Sequence, residues 1–158
     1  MGIFDFLWKP KGPTQTASEF AALKTLISST NNMIKLQLIT CINPQSTYED
    51  LFEDLFFLGY FYGIHDAAFQ KAGHQKSQTE MYASFMLAIG DFCNADAVKN
   101  GSAEEIADEI HGLIAWLRAN EDSSTFQLGQ LIALTEYFEL LEGRIRSLTG
   151  LISHFGRT

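Results

Sequence analysis

The sequence repeats one helix-start signal along most of its length. At five places a Ser or Thr is followed three residues later by Glu or Gln, ahead of a segment with helical spacing of apolar residues. In such a capping box, each side chain satisfies the backbone N–H of the other residue. Gly73, Asn100-Gly101 and Asn120 supply matching stop signals, so the pattern predicts five helices. The five pairs are Thr16/Glu19, Ser46/Glu49, Ser77/Glu80, Ser102/Glu105 and Ser124/Gln127.

The predicted fold is an all-α, single-domain bundle of five to six helices. Pro10 and Pro13 break the chain early, and so separate a short apolar tail (1–13) from the bundle (14–158). A short extension of the last helix is expected to reach Phe155. The five main helices are expected near residues 17–38, 47–72, 78–97, 103–119 and 125–149.

One stretch of the first helix is ambiguous. Between residues 33 and 42, Ile34, Leu36 and Leu38 alternate with polar residues, which is the spacing of a strand. A single strand would have no partner elsewhere in the sequence. We therefore interpret the stretch as helix, with strand as the alternative.

Composition limits the classes of function. The chain has 158 residues, of which 46% are hydrophobic, and thirteen of them are Phe; this is typical of a packed globular domain. Nineteen acidic residues against eleven basic ones give a net charge of -8, which argues against nucleic-acid binding. The two cysteines, Cys41 and Cys93, are too few for a disulfide framework or a metal cluster.

The second predicted helix is expected to be central in the fold. Residues 55–64 are apolar on every side of a helix, which indicates burial on most sides. Gly59 and Gly63 are four residues apart, so a neighbouring helix could approach the backbone there. Each glycine costs about 1 kcal/mol in a helix interior, and close packing would offset that cost.

The last predicted helix carries a regular apolar series. Spacings of three and four residues can form a coiled-coil seam, but Leu128, Ile132 and Leu140 widen the stripe. A wide stripe favours a bundle core, with self-association through residues 125–155 as the alternative. The series comprises Leu131, Leu134, Phe138, Leu141, Ile145, Leu148, Ile152 and Phe155.

Acidic residues concentrate at two predicted helix starts. Carboxylates in a first turn stabilise a helix by interacting with its dipole, which is one sufficient explanation. The other is an acidic face that attracts a basic protein partner. We predict such a partner for a non-enzymatic accessory, regulatory or immunity-type module. The expected partner-binding residues are Asp50, Glu53, Glu104, Glu105, Asp108 and Glu109.

The sequence contains no complete catalytic or metal-binding motif, and we predict no catalytic residue and no cofactor. Its four histidines do not form a zinc-binding pattern. Carboxylates spaced three residues apart hold Mg²⁺ in all-α nucleotide pyrophosphohydrolases. The alternative function is therefore a Mg²⁺-dependent enzyme of that kind. Its metal ligands would be Asp50, Glu53, Glu105 and Asp108.

The first residues suggest a second alternative, a peripheral membrane protein. Within residues 3–11, four apolar side chains could form one apolar turn beside two lysines, which is a weak interfacial anchor. No basic n-region with an uninterrupted apolar core is present, so a secretory signal is not expected. The predicted location is the cytoplasm.

Overall fold

The computed structural model describes residues 13–41, 48–74, 77–93 and 103–156. All regular secondary structure in these ranges is helical, which confirms the predicted all-α bundle. Five helices are long and two are short. In chain order they are α1 (Pro13–Leu38), α2 (Tyr48–Leu51), α3 (Leu55–Ala72), α4 (Gln78–Cys93), α5 (Ala103–Asn120), α6 (Ser124–Leu141) and α7 (Gly150–Phe155).

The ambiguous stretch at the end of α1 is helical. The helix runs to Leu38, and residues 39–41 form hydrogen-bonded turns. Ile34 and Leu38 are buried, whereas Leu36 between them is 68% exposed. In a strand all three side chains would lie on one face, so the apparent alternation has a helical origin.

The prediction of a single helix over 47–72 is wrong, because residues 52–54 interrupt the helix. The short α2 ends at Leu51, and α3 begins at Leu55. Asp54 is extended, and its Oδ1 accepts a hydrogen bond of 2.9 Å from the Phe57 N–H. An aspartate that caps in this way favours a new helix start over helix continuation. The predicted stop at Gly73 is confirmed by its φ of 71°.

The predicted capping boxes have mixed outcomes. The Glu80 N–H donates to Ser77 Oγ at 3.2 Å, as expected at the start of α4. Thr16 lies inside α1, and α6 begins after Ser123 without a side-chain capping bond, so both of these predicted caps are wrong. Among the paired residues, the side chains outside the described set are Thr16, Ser46, Glu49, Ser102 and Glu105.

Helices α3 and α6 cross at a very short distance. A Cβ added to Gly59 would lie 2.0 Å from the Phe126 carbonyl oxygen, and one added to Gly63 would lie 2.6 Å from that of Gln130. On the other helix, a Cβ on Gly129 would lie 2.2 Å from the Phe56 carbonyl oxygen. The crossing therefore requires glycine on both helices, which confirms the close approach expected at Gly59 and Gly63.

Aromatic rings fill the space between α3 and α4. Phe61 makes edge-to-face contacts with Phe85 and Phe92, at centroid distances of 5.5 and 5.2 Å. Phe52, in the turn before α3, meets Phe61 at 5.0 Å in the same geometry. Such pairs add to the apolar burial that holds the two helices together. The phenylalanine-rich run of α3 is therefore core.

The prediction of one helix over 125–149 is also wrong, because α6 ends at Leu141. Gly143 has a φ of 73°, and the Arg144 N–H donates to the Glu139 carbonyl at 2.9 Å. A residue in the left-handed region closes the last turn and redirects the chain. The chain then resumes as the separate helix α7, so Leu148 and Ile152 do not continue the apolar series of α6.

Candidate protein-docking surface

The structure describes three of the six predicted partner-binding side chains. Asp50 in α2, Glu53 in the following turn and Asp108 in α5 are exposed. None of them makes a side-chain hydrogen bond or ion pair with another described residue. Glu104, Glu105 and Glu109 lie in α5, but their side chains are outside the described set. Whether the two acidic groups face one partner is therefore still a prediction.

Asp54, a further acidic residue directly before α3, has a structural role. Its carboxylate caps α3 and also lies 3.0 Å from His154 Nε2 of α7. The His154 ring stacks on Phe56 at a centroid distance of 4.1 Å. These contacts hold α7 against the start of α3. Asp54 therefore differs from Asp50 and Glu53, whose carboxylates have no structural task in the described region.

The magnesium alternative is untested. Among the described residues, no three His, Cys, Asp or Glu side chains are placed to hold one metal ion. Because Glu105 is outside that set, the ligand group Asp50, Glu53, Glu105 and Asp108 stays a prediction.

Most of the apolar series on α6 faces outward. The buried residues of this helix are Phe126, Gly129, Ala133 and Tyr137, which lie on the other side. The backbones of α3 and α6 are too close for leucine side chains to fit between them, so the small residues Gly129 and Ala133 face α3. The favoured interpretation of the series as core is wrong for Leu131, Phe138 and Leu141, whereas Leu134 packs against the core. The large side chains left exposed are Leu128 (51%), Leu131 (61%), Phe138 (40%) and Leu141 (49%).

The outward side of α6 also carries little charge over residues 124–138, and the half-buried Glu139 follows at its end. Between residues 124 and 138 the sequence has one ionisable acid or base, Glu136, and its carboxylate is turned toward α7. A solvated helix face normally carries charged residues, whereas the centres of protein interfaces are depleted of them. We call this side the α6 outer face; it comprises Ser124, Thr125, Gln127, Leu128, Leu131, Thr135 and Phe138.

The Glu136 carboxylate points away from the α6 outer face because it accepts hydrogen bonds from the start of α7. Its Oε1 accepts from the Thr149 N–H and hydroxyl at 3.0 and 3.1 Å, and its Oε2 accepts from the Gly150 N–H at 3.1 Å. Oε2 also accepts from the Tyr60 hydroxyl at 2.7 Å. A carboxylate at a helix start satisfies N–H groups that have no partner within the helix.

Gln37 completes the same network from α1. Its amide donates to the Tyr60 hydroxyl at 3.0 Å, and its carbonyl accepts from the Leu151 N–H at 3.1 Å. Burial, and then the adjoining Glu136 carboxylate, hold the pKa of Tyr60 well above its usual value. The phenol therefore stays a neutral donor. The sequence offers no signal for this network, because its members are far apart along the chain.

His65 is a buried histidine with a structural environment. Its Nδ1–H donates to the Phe61 carbonyl at 2.9 Å, and its Nε2 has no hydrogen-bond partner in the described part of the chain. Burial lowers its pKa to about 4, against smaller opposing effects of the Phe61 bond and of Asp91. The ring is therefore neutral in the folded protein at pH 7.

The surface beside α7 forms an open groove that continues from the α6 outer face. This groove has a volume of about 460 Å³, and Leu128 and Ile132 of α6 line it together with Phe56 and His154. The lining is mostly apolar. Its one carboxylate, the half-buried Glu136, already accepts four hydrogen bonds, so the groove offers little polar recognition for a small ligand.

The membrane alternative involves residues 3–11, which are outside the described residues. In the described ranges no helix combines the length and the apolar character needed to span a bilayer.

Comparison with protein-family models, with curated proteins and with solved structures found no match. Function is therefore inferred from the surfaces themselves.

Proposed function

We propose that this chain is a non-enzymatic protein-binding module that docks through the α6 outer face. One observation carries the proposal: Leu128, Leu131 and Phe138 are exposed on a helix side that presents no charged side chain between residues 124 and 138, with the half-buried Glu139 at its end. Apolar side chains in one contiguous patch are typical of a protein interface. Burial of such side chains supplies most of the free energy of association.

A second docking position is proposed at the acidic residues. Asp50, Glu53 and Asp108 are exposed and make no side-chain hydrogen bond or ion pair with another described residue, which supports a role in attracting a basic protein. Opposite charges across an interface chiefly raise the association rate, and salt screens them. For a basic partner, replacing Glu105 and Asp108 by Lys should slow association and flatten its salt dependence. An unchanged affinity and salt slope would contradict this second proposal.

Site-specific photo-crosslinking tests the docking role of the α6 outer face. A benzophenone amino acid at Thr135, in the middle of the face, should give a discrete covalent protein adduct on irradiation in cells. Thr25 is a matched control, because both threonines are exposed helical residues whose hydroxyls donate to the carbonyl four residues earlier. The control position should give no such adduct. Absence of an adduct at Thr135, or equal adducts at both positions, would contradict the proposal.

A further inference from the structure

A second groove lies where α1, α6 and α7 meet. Its volume is about 290 Å³, close to the lower end of the range for small-molecule pockets. The apolar side chains described in its lining are all aliphatic, so the walls suit a flexible hydrocarbon chain. These residues are Met33 and Leu36 of α1, Leu140 of α6, Leu148 in the turn before α7, and Ile152 of α7.

Part of this aliphatic wall is open to water. Leu36 is 68% exposed and Ile152 is 37% exposed. A ligand chain that covers them removes apolar surface from water, which is favourable. Met33 lines the same groove and is half-buried, and its unbranched thioether side chain adapts to ligands of irregular shape.

The groove also has a positively charged position. Among its described lining residues, Arg146 is the one that carries a charge. Its guanidinium is exposed and makes no ion pair with another described residue, whereas Arg144 pairs with Glu142 at 2.9 Å. Glu139, half-buried beside Leu140 on α6, is likewise not paired with Arg146. A free guanidinium beside an apolar groove complements a carboxylate, which it can hold through two parallel hydrogen bonds.

The remaining polar lining residues narrow the choice of head group. Gln37 already donates to the Tyr60 hydroxyl and accepts from the Leu151 N–H, so its amide is occupied. Ser147 follows Arg146 directly, lines the groove and is exposed, so its hydroxyl is placed to donate to the same ligand oxygen atoms. Because arginine offers donors and no acceptor, this end of the groove disfavours a cationic head group.

We propose that the groove between α1, α6 and α7 binds a free fatty acid, with the chain against Leu36 and Ile152 and the carboxylate at Arg146. This binding site is additional to the proposed docking function, because none of its lining residues belongs to the α6 outer face. Its small volume favours a chain of medium length. Its open side leaves part of the ligand in water, so the complex is expected to exchange rapidly.

Titration of the full chain with decanoate, followed by NMR, tests the site. Decanoate should produce saturable shifts in the amide signals of Leu36, Ser147 and Ile152. Decanol has a chain of the same length without the charge, and should bind about tenfold or more weakly, because it lacks the charge-assisted hydrogen bonds. Decylammonium would place a cation beside Arg146 and should not shift these signals.

Two pairs of variants separate the head-group contact from the chain contact. Arg146→Gln should weaken decanoate binding about tenfold or more and leave decanol binding unchanged. Arg144→Gln is the matched control, because Arg144 is exposed but is not among the described lining residues. Ile152→Ser should weaken both ligands several-fold. Its control is Ile39→Ser, at a 73% exposed isoleucine outside the described lining, and this variant should bind both ligands as the wild type does.

The opposite results would overturn the inference. Equal affinities for decanoate and decanol, or decanoate binding that survives Arg146→Gln, would show that no carboxylate site exists. Absence of saturable shifts at Leu36 and Ile152 would exclude the chain contact. Binding to phosphatidylglycerol vesicles that contain no fatty acid, lost in Arg146→Gln, would assign the surface to a membrane instead. The Thr135 crosslink concerns a different surface, so its result tests the docking proposal separately.

Discussion

Tyr60 donates a hydrogen bond of 2.7 Å to the Glu136 carboxylate, and this contact joins the two central helices to the start of α7. One carboxylate thereby bonds the phenol and the first free N–H groups of the short helix. Glu136→Gln keeps the size of the side chain but removes the charge and one acceptor oxygen. Hydrogen bonds to charged groups contribute about 1.5–3 kcal/mol each, so we expect a loss of about 2 kcal/mol in unfolding free energy.

Urea unfolding of Glu136→Gln measures this loss. Glu142→Gln is the matched control, since Glu142 is exposed and, among the described residues, pairs with the exposed Arg144 alone. The control should change stability by less than about 1 kcal/mol. Equal stabilities of the two variants would show that the network does not anchor α7.

Gly59→Ala should be strongly destabilising. The added methyl group would meet the Phe126 carbonyl oxygen at 2.0 Å, and backbone atoms can relieve the clash only if α3 and α6 separate. We expect a loss of about 3 kcal/mol or more, comparable to severe overpacking. Gly112→Ala is the control on α5, where a Cβ meets nothing within 4 Å. It should stabilise the chain by up to about 1 kcal/mol through helix propensity. The thermal unfolding midpoints of the two variants should therefore shift in opposite directions from that of the wild type. Shifts in the same direction would contradict the close crossing of α3 and α6.

The buried ring of His65 should make stability depend on pH. Its pKa is about 4 in the fold and about 6.5 in the unfolded chain. As the pH falls between these values, the unfolded state binds a proton that the folded state does not. Its contribution to stability is therefore fully present above pH 6.5 and is lost down to pH 4, by about 3 kcal/mol. Asp66 acts in the opposite direction, because burial raises its pKa.

Urea unfolding of wild type and His65→Gln at several pH values isolates this effect, since the contribution of Asp66 is common to both. The difference in stability between the two proteins should narrow as the pH falls. His111→Gln changes an exposed histidine and should follow the wild type. If His65→Gln does not fold, titration of the His65 ring in the wild type by NMR measures its pKa directly. A pKa near 6.5 would contradict the prediction that burial lowers it.

Asp54→Ala should cost about 1 kcal/mol, because it removes the cap of α3. Asp54→Asn should cost less, since asparagine caps helices about as well as aspartate. Asp50 is exposed and has no side-chain partner in the part of the chain that the structure describes, so Asp50→Ala should fall within about 0.5 kcal/mol of the wild type. Chemical unfolding of the three variants ranks them. A loss in Asp50→Ala equal to that in Asp54→Ala would mean that Asp50 also has a structural role.

Thermal unfolding with and without millimolar Mg²⁺ distinguishes the binding module from the nucleotide pyrophosphohydrolase alternative. A binding module should show no more change in its thermal midpoint than a monovalent salt of equal ionic strength produces. A bound ligand at a hundred times its dissociation constant adds about 2.7 kcal/mol, which is readily detected. A rise with Mg²⁺ that disappears in Asp108→Asn would favour the enzyme.

Local signals predicted the fold well wherever neighbouring residues decide the structure. The stop at Gly73 and the serine at the start of α4 depend on contacts within one turn, so they can be recognised in the sequence. The spacing of Gly59 and Gly63 likewise identified the close crossing. The break at Asp54 was missed because aspartate also occurs within first turns, and the spacing of apolar residues continues across it.

The orientation of α6 could not be predicted from its own sequence. Its apolar residues occur on all sides, so the pattern does not identify the buried one. The choice is made by α3, because Gly59 and Gly63 lie directly against the backbone of Phe126 and Gln130 and thereby fix which side of α6 is buried. The network of Gln37, Tyr60 and Glu136 was missed for a similar reason, because its members come from three separate helices.

The order of the helices has a consequence during synthesis. Helix α3 is apolar on nearly all sides, but its main partner α6 begins about fifty residues later in the chain. At about 5–20 residues per second, translation of the intervening segment takes roughly 3–10 s. During that interval the glycine-lined side of α3 has no helix to cover it. The nascent chain is therefore most prone to aggregation between the emergence of Ala72 and that of Leu141, and a chaperone that binds apolar helices would act in this window.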